Sequence, residues 1–387
     1  MRYYNPHKKN STLTTILVCA VCFWAFSLLW LYYFQADVLA VGQHVLSGGV
    51  THYNRSVGAL LITVVLYLLE VAVFAVSRLS RRTHALTYLP SMLALAFLSD
   101  INPDVGSHFS FGVWRWAAPV VLAVWAGAAW LSRQLLPFDN DDKRPTGLFS
   151  RRIWLNLLQM AAMMLGVAAI GNTNATFHYR AHMETALMRG DLDDALRVGK
   201  ESDERDPQLT MLRVHALARK GRLGDELFTY KLAGTSADFL PGRGSLFIMP
   251  ADTIWKHLGG RPIYKLVPER YYQALQTDSL ATRAVADYVL CGLLVDRKLD
   301  DFVKTLPSHY EPDSVQPLPH HYREALVLYD HLHKQQGTHL ADAAMEEKWN
   351  ALCQLEAQYP DITERRLRVF EDFEYTYWWY YLYGKQQ

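Results

Sequence analysis

Long apolar stretches alternate with short, basic ones over the first 172 residues, and the alternation then stops. Leu13 to Phe34 carries no charge over 22 residues, and at ~1.5 Å per residue a helix of that length covers the ~30 Å hydrocarbon core of a bilayer. Val57 to Val76 follows, interrupted only by Glu70. Ala85 to Leu98 is shorter and contains Pro90, so on its own it also fits a re-entrant or buried segment. Trp116 to Leu131 and Ile153 to Gly171 complete five predicted spans, with Trp114, Trp116 and Trp130 placed as interfacial aromatic belts. The first stretch is too long for the apolar part of a signal peptide, and no small-residue cleavage site follows it.

Charge orients the spans. Five crossings put Arg2, Lys8, Lys9, Arg78, Arg81, Arg82, Arg133, Lys143, Arg144, Arg151 and Arg152 on one side. Only Arg55 and Arg115 lie in the short loops opposite. Because basic loops stay in the cytoplasm, the pattern predicts a cytoplasmic amino terminus and a carboxyl-terminal domain, residues 173–387, outside it.

Beyond residue 172 the pattern becomes short helices punctuated by glycine. Thr176 to Arg189 precedes Gly190; Leu192 to Glu204 follows; Pro207 opens a helix to Lys220, closed by Gly221. Gly190, Leu192 and Leu196 recur as Gly221, Leu223 and Leu227, and Lys298 to Phe302 echoes Asp191 to Ala195. Such a period predicts stacked helical hairpins, since one hairpin cannot bury its apolar stripe alone. Two more predicted helices, His321 to Lys334 and Ala343 to Tyr359, follow a proline-rich connector from Leu306 to His320. Leu240 to Pro250 is predicted to be a loop that packs or docks.

Gly190, Ala195 and Pro207, with Leu192 between the first two, resemble the turn glycine, close-packing alanine and terminal proline of the tetratricopeptide repeat. The second unit keeps Gly221 and Leu223 but has Glu226 in place of the alanine. Together with the five predicted spans, the resemblance implies an all-α chain, a five-helix membrane bundle followed by a tetratricopeptide-like solenoid. Gln43 to Tyr53, Leu318 to Tyr329 and Tyr377 to Tyr383 further resemble a family of bacterial polytopic membrane proteins with such a domain at the carboxyl end. That resemblance implies a bacterial inner membrane and carries no activity.

A net charge of +1 and the lack of a basic stripe interleaved with aromatics argue against nucleic-acid binding. Cys19 and Cys22 fall within a span and read as small packing residues; Cys291 and Cys353 would share an oxidising compartment and could pair.

Few residues carry candidate chemistry. The Gln35 to Ser56 loop gathers Asp37, His44, His52 and Arg55, the low-ranking catalytic candidates, and Val38 to Leu46 is predicted to be a short interfacial helix stopped at Ser47, Gly48 and Gly49. An acidic residue there resembles the base of membrane-embedded lipid-dependent glycosyltransferases, although five spans are too few for that fold. Glu70 is costly in a bilayer and needs a partner, for which Asn156 and Gln159 are the nearest candidates. His320, His321, His331, His333 and His339 lack ligand spacing and are expected to be exposed, so no metal and no cofactor is predicted. Tyr377, Trp378, Trp379, Tyr380 and Tyr381 read as an aromatic cap on the solenoid. Phosphate-loop, dinucleotide, nucleophile-elbow and zincin motifs are missing.

The expected function is therefore binding: a membrane-anchored scaffold that holds a protein or peptide partner on the solenoid. The alternatives are an enzyme or enzyme subunit acting on lipid-linked saccharide through Asp37, His44, His52 and Arg55, and behind it a transporter dependent on Glu70. Small-xxx-small motifs at Ala123 to Gly127 and Ala162 to Gly166 permit self-association.

Overall fold

A computed structural model describes residues 6–77, 79, 83–101, 112–135, 150–250, 252–310, 318–334 and 342–384. Arg2, Arg78, Arg81, Arg82, Lys143, Arg144, His339 and residues 311–317 of the connector lie outside the described residues. The described residues are helical and include no strand. The chain divides into two compact units, Met1–Asn174 and Ala175–Gln387.

The first unit contains α1 (Pro6–Leu29), which runs into a π-helical turn at Trp30–Phe34, then α2 (Ala36–Leu46) and α3 (Arg55–Ser77). A 3₁₀ turn at His84–Tyr88 leads into α4 (Leu89–Ser99), and α5 (Trp114–Leu135) and α6 (Arg151–Ile170) complete it. Among the described residues three helices are long and apolar enough to cross a membrane: Leu13–Phe34, Arg55–Ser77 and Arg151–Ile170. The other two predicted spans differ for separate reasons. His84–Ser99 is too short, and α5 mixes four tryptophans, two arginines and Pro119 into its apolar run.

The first unit buries several polar side chains within its hydrophobic core and leaves many apolar ones exposed. Thr63, Ser91, Ser99 and Asn156 are buried, whereas Leu17, Leu61, Leu68, Leu158 and Leu165 are exposed. The short α4 segment sits against α3 and α6, burying Ala85, Tyr88, Met92 and Leu95. Trp30 Nε1 donates to Ser99 Oγ (2.8 Å), which in turn donates to the Leu95 carbonyl (2.8 Å). Each such bond satisfies a polar group that hydrocarbon could not. Cys19 belongs to this core, and both it and Cys22 are free thiols.

The second unit is a succession of helices whose hairpins follow the glycine punctuation. α7 (Ala175–Arg189) turns at Gly190 (φ +79°) into α8 (Leu192–Arg197), and α9 (Pro207–Lys220) turns at Gly221 (φ +70°) into α10 (Leu223–Glu226). Only glycine takes these left-handed angles at little cost. The predicted helix Leu192 to Glu204 is much shorter in the structure: Val198 is extended and Gly199 (φ +59°) packs against the Tyr179 ring. Ala195 is fully buried, and Asp206 caps α9 by accepting from the Leu209 N–H at 2.9 Å.

Beyond α11 (Asp252–His257) and α12 (Pro268–Thr277), α13 (Arg283–Val295) pairs with α14 (Leu299–Thr305). α15 (His320–Leu332) packs against α10, α14, α16 (Ala343–Gln358) and α18 (Tyr377–Tyr383), while α17 (Ile362–Phe373) joins α16 to α18. Cys291 is buried in α13 and Cys353 exposed on α16, and both are free. The pairing considered from compartment alone is therefore not made.

Candidate functional site

A groove of about 710 Å³ runs along α12, α13 and α14 of the second unit. Pro268 opens α12 where its missing N–H costs nothing. The helix then presents Glu269, Tyr272, Gln273 and Gln276 along one face of the groove. α13 adds Tyr288, Val289, Leu293 and, just beyond its end, Asp296; Asp301 and Lys304 come from α14. Gly292 lets Ser236 approach, since a Cβ there would lie 3.0 Å from the Ser236 Cβ.

The electrostatics favour a cationic or hydrogen-bonding ligand. Glu269, Asp296 and Asp301 line the groove against Lys304. Burial alone would raise the Asp296 carboxyl, but the Ser236 N–H (2.9 Å), the Ser236 hydroxyl (2.7 Å) and Lys298 hold it below the usual carboxylate range. Burial raises the Tyr272 and Tyr288 phenols well above their usual range, so both remain protonated donors. Neither hydroxyl has a protein hydrogen-bond partner. The groove offers the carboxylates of Glu269 and Asp301, the amides of Gln273 and Gln276 and an apolar floor, which suits binding.

The residues singled out from sequence fall elsewhere. In the first unit Arg55 Nη2 reaches Asp37 Oδ2 at 3.2 Å and lies over the Tyr32 ring. α2 ends at Leu46, and Gly48 and Gly49 have positive φ (+60° and +82°). Val38 and Val41 of α2 are fully buried, so the helix is packed into its unit on that side. His44 rests on Gly49; burial, with the nearby His52 imidazole, lowers its pKa. Of the four, Asp37 and Arg55 form an ion pair, and the His52 imidazole lies near enough to act on His44.

Glu70 accepts a hydrogen bond from the Thr87 hydroxyl at 2.7 Å. Asn156 instead accepts from the Ala85 N–H (2.8 Å) and donates to the Arg152 carbonyl (2.9 Å), and Gln159 Oε1 is buried without a partner. The partner of Glu70 thus comes from the segment preceding α4 rather than from α6.

The histidines expected to be exposed are not uniformly so, because α15 is enclosed by its neighbours. His321 is fully buried, with Nδ1 2.8 Å from Glu324, and His320 Nε2 reaches the same carboxylate at 3.1 Å. His331 meets Glu346 at 2.8 Å and stacks on Trp349; His333 is exposed. Among the described residues no group of three or more histidine, cysteine or acidic side chains could hold a metal ion.

The aromatic run forms α18. Tyr377 and Trp378 are fully buried against α15, the Tyr377 N–H donating to Glu324 and Trp378 Nε1 to the Glu324 carbonyl, each at 2.8 Å. Trp379, Tyr380 and Tyr381 are half-buried. Sequence inspection missed Glu184, Tyr272, Tyr288, Asp296 and Glu324. Glu184 and Glu324 occupy apolar-stripe positions of their helices, and that was the available signal.

No curated protein and no solved structure matches the chain. The profile of a family of unknown function, DUF6057, matches residues 270–384, from α12 to the end of α18, a segment that contains most of the groove.

Proposed function

We propose that this chain is a membrane-anchored helical-repeat scaffold whose second unit holds an extended peptide segment of a partner protein in the α12–α14 groove. The groove itself carries the proposal. Its volume falls in the range of specific ligand sites, roughly 300–1,000 Å³, and it offers carboxylates and side-chain amides beside an apolar floor. The hairpins α7–α8, α9–α10 and α13–α14 are assigned to the tetratricopeptide class, on the spacing of Gly190, Leu192, Ala195 and Pro207.

Anchoring is supported by the many large apolar side chains that the first unit leaves exposed along its long helices. In the full assignment α4 and α5 also cross, making five spans in a bacterial inner membrane. Five crossings and three crossings leave the second unit on the same side, opposite a cytoplasmic amino terminus, because both counts are odd. A reporter fused behind Gln387 tests this: activity restricted to the extracytoplasmic side is expected, and cytosolic behaviour overturns it.

A photo-crosslinking residue at Gln276 in intact cells tests the groove. A discrete protein adduct that disappears in Asp301→Lys is expected. Absence of any adduct, together with turnover of a lipid-linked saccharide by the purified protein that Asp37→Asn abolishes, would establish the enzyme alternative instead.

A further inference from the structure

We propose a second binding site in the second unit, sharing no lining residue with the groove, that takes an organic phosphate. It is a pocket of about 70 Å³ between the edge formed by Lys200, Arg205 and Lys231 and the face of α17 and α18. At ~10–15 Å³ per water-sized position the space holds roughly five such groups, which is the size of one phosphate. A peptide segment needs more.

Charge and shape both select that ligand. Lys200, Arg205, Lys231 and Arg366 line the pocket against one carboxylate, Glu374. Lys231 also meets Asp203, whose side chain is almost fully exposed. Most of the remaining lining is aromatic, including Tyr230, Trp379 and Tyr383, and Trp379 stacks on Tyr383 with centroids 5.0 Å apart. Cations set among ring faces accommodate an anion attached to a flat or apolar body.

The site is built from within rather than assembled by surface lysines alone. Arg213 is 2% exposed and donates to the carbonyls of Gly199 and Lys231, each at 3.1 Å. It thereby fixes the two segments that carry Lys200 and Lys231. Its guanidinium lies 5.2 Å from the centre of the Tyr230 ring, and its Nε is buried without a partner. On the α18 side Arg297 donates to the Tyr380 carbonyl at 2.8 Å and lies 4.6 Å from that ring centre. Two guanidiniums therefore stand behind tyrosines of the wall, adding fixed positive potential to a confined, ring-lined space.

Calorimetric titration of the full chain in detergent with inorganic phosphate and with phenyl phosphate tests the assignment. Saturable binding is expected, with phenyl phosphate roughly tenfold tighter through ring stacking. Lys200→Met with Lys231→Met should weaken it roughly tenfold or more. Lys200→Arg with Lys231→Arg should retain it, and the thermal melts of both variants should match the parent. Absence of saturation by either phosphate at roughly 10 mM overturns the proposal. So does unchanged binding in the methionine variant, or saturation by a short poly-glutamate peptide where phenyl phosphate fails.

Discussion

The carboxylate of Glu184 in α7 accepts the backbone N–H of Phe247, 63 residues away, at 2.8 Å, and those of Ile248 at 2.7 Å and Met249 at 3.0 Å. Burial pushes this carboxyl up, and the three backbone donors offset only part of that rise. Arg180, one turn earlier, lies 4.2 Å from the Phe247 ring centre and donates to the Ser245 carbonyl at 2.7 Å. One helix face thus fastens the segment from Leu240 to Pro250, and with it the residues leading to α11. Glu184→Gln keeps the shape but loses the charge and turns an amide group toward N–H donors. It should destabilise the second unit by about 2–3 kcal/mol and open Leu240 to Pro250 to limited proteolysis. An unaltered urea midpoint with an uncut loop would show that the clamp contributes little.

Glu324 provides a pH prediction with a definite sign. Burial would raise its carboxyl, but the hydrogen bonds from His320 and His321 outweigh that and hold it down at about 2. A carboxyl depressed on folding stabilises the native state above its unfolded pKa, near 4.5, and that contribution is lost as pH falls toward 2. The second unit should therefore lose stability between about pH 4.5 and 2, by on the order of 3 kcal/mol from this group. Chemical denaturation of the parent and of Glu324→Gln checks this: the parent's slope across that window should be steeper, and parallel curves would assign the acid sensitivity to other groups.

Much of the architecture was legible because its signals are local. Gly190, Gly221 and Pro207 mark turns and a helix start by backbone geometry alone, and the predicted helix Pro207 to Lys220 is the observed one. Two helices escaped notice although they carry start signals: α12 begins at Pro268, and Asp361 caps α17 through the N–H groups of Thr363 and Glu364. The α8 overshoot has a tertiary cause. Nothing in Val198 to Glu204 forbids a helix, but Arg213 binds the Gly199 carbonyl and Tyr179 packs on Gly199. The sites were less legible for the same reason. Tyr272 and Tyr288, or Lys200 and Arg366, become neighbours of one cavity only through helix packing, which no spacing rule encodes. The buried Glu324 was hidden in a run of polar neighbours, His320 to Arg323.

Gly259 marks the tightest backbone approach in the second unit. It has φ +97°, and a Cβ there would lie 1.9 Å from the Leu280 carbonyl oxygen, a backbone atom that cannot rotate away. The adjacent Leu258 carbonyl accepts the Thr282 N–H at 3.2 Å, joining the end of α11 to the start of α13. Gly259→Ala combines left-handed strain with this clash and should cost several kcal/mol, on the order of 3 or more. Gly244→Ala, at φ +71° with open space, should cost only about 1 kcal/mol. Comparable losses in thermal unfolding for the two variants would mean that the α11–α13 junction relaxes freely.

The Glu70–Thr87 bond gives the sharpest test of the first unit. Glu70 is 4% exposed among apolar helices, and Thr87 Oγ1 lies 2.7 Å from both Glu70 Oε1 and the His84 carbonyl oxygen, two acceptors for its one proton. Removing the hydroxyl leaves a buried acceptor with one donor fewer, at a cost of about 1–3 kcal/mol. Thr87→Val should therefore destabilise the detergent-solubilised protein by that amount, while Glu70→Gln, whose amide oxygen still accepts, should cost less than about 1 kcal/mol. A double-mutant cycle separates this pairing from the one that sequence position favoured. Glu70 and Thr87 should show a coupling of roughly 1 kcal/mol, and Glu70 with Asn156, which is committed to the Ala85 N–H, should show a smaller one. Equal couplings would place Asn156 back beside the carboxylate. A larger Glu70–Thr87 term fixes α3 to the start of the α4 segment through a polar contact that hydrocarbon cannot replace.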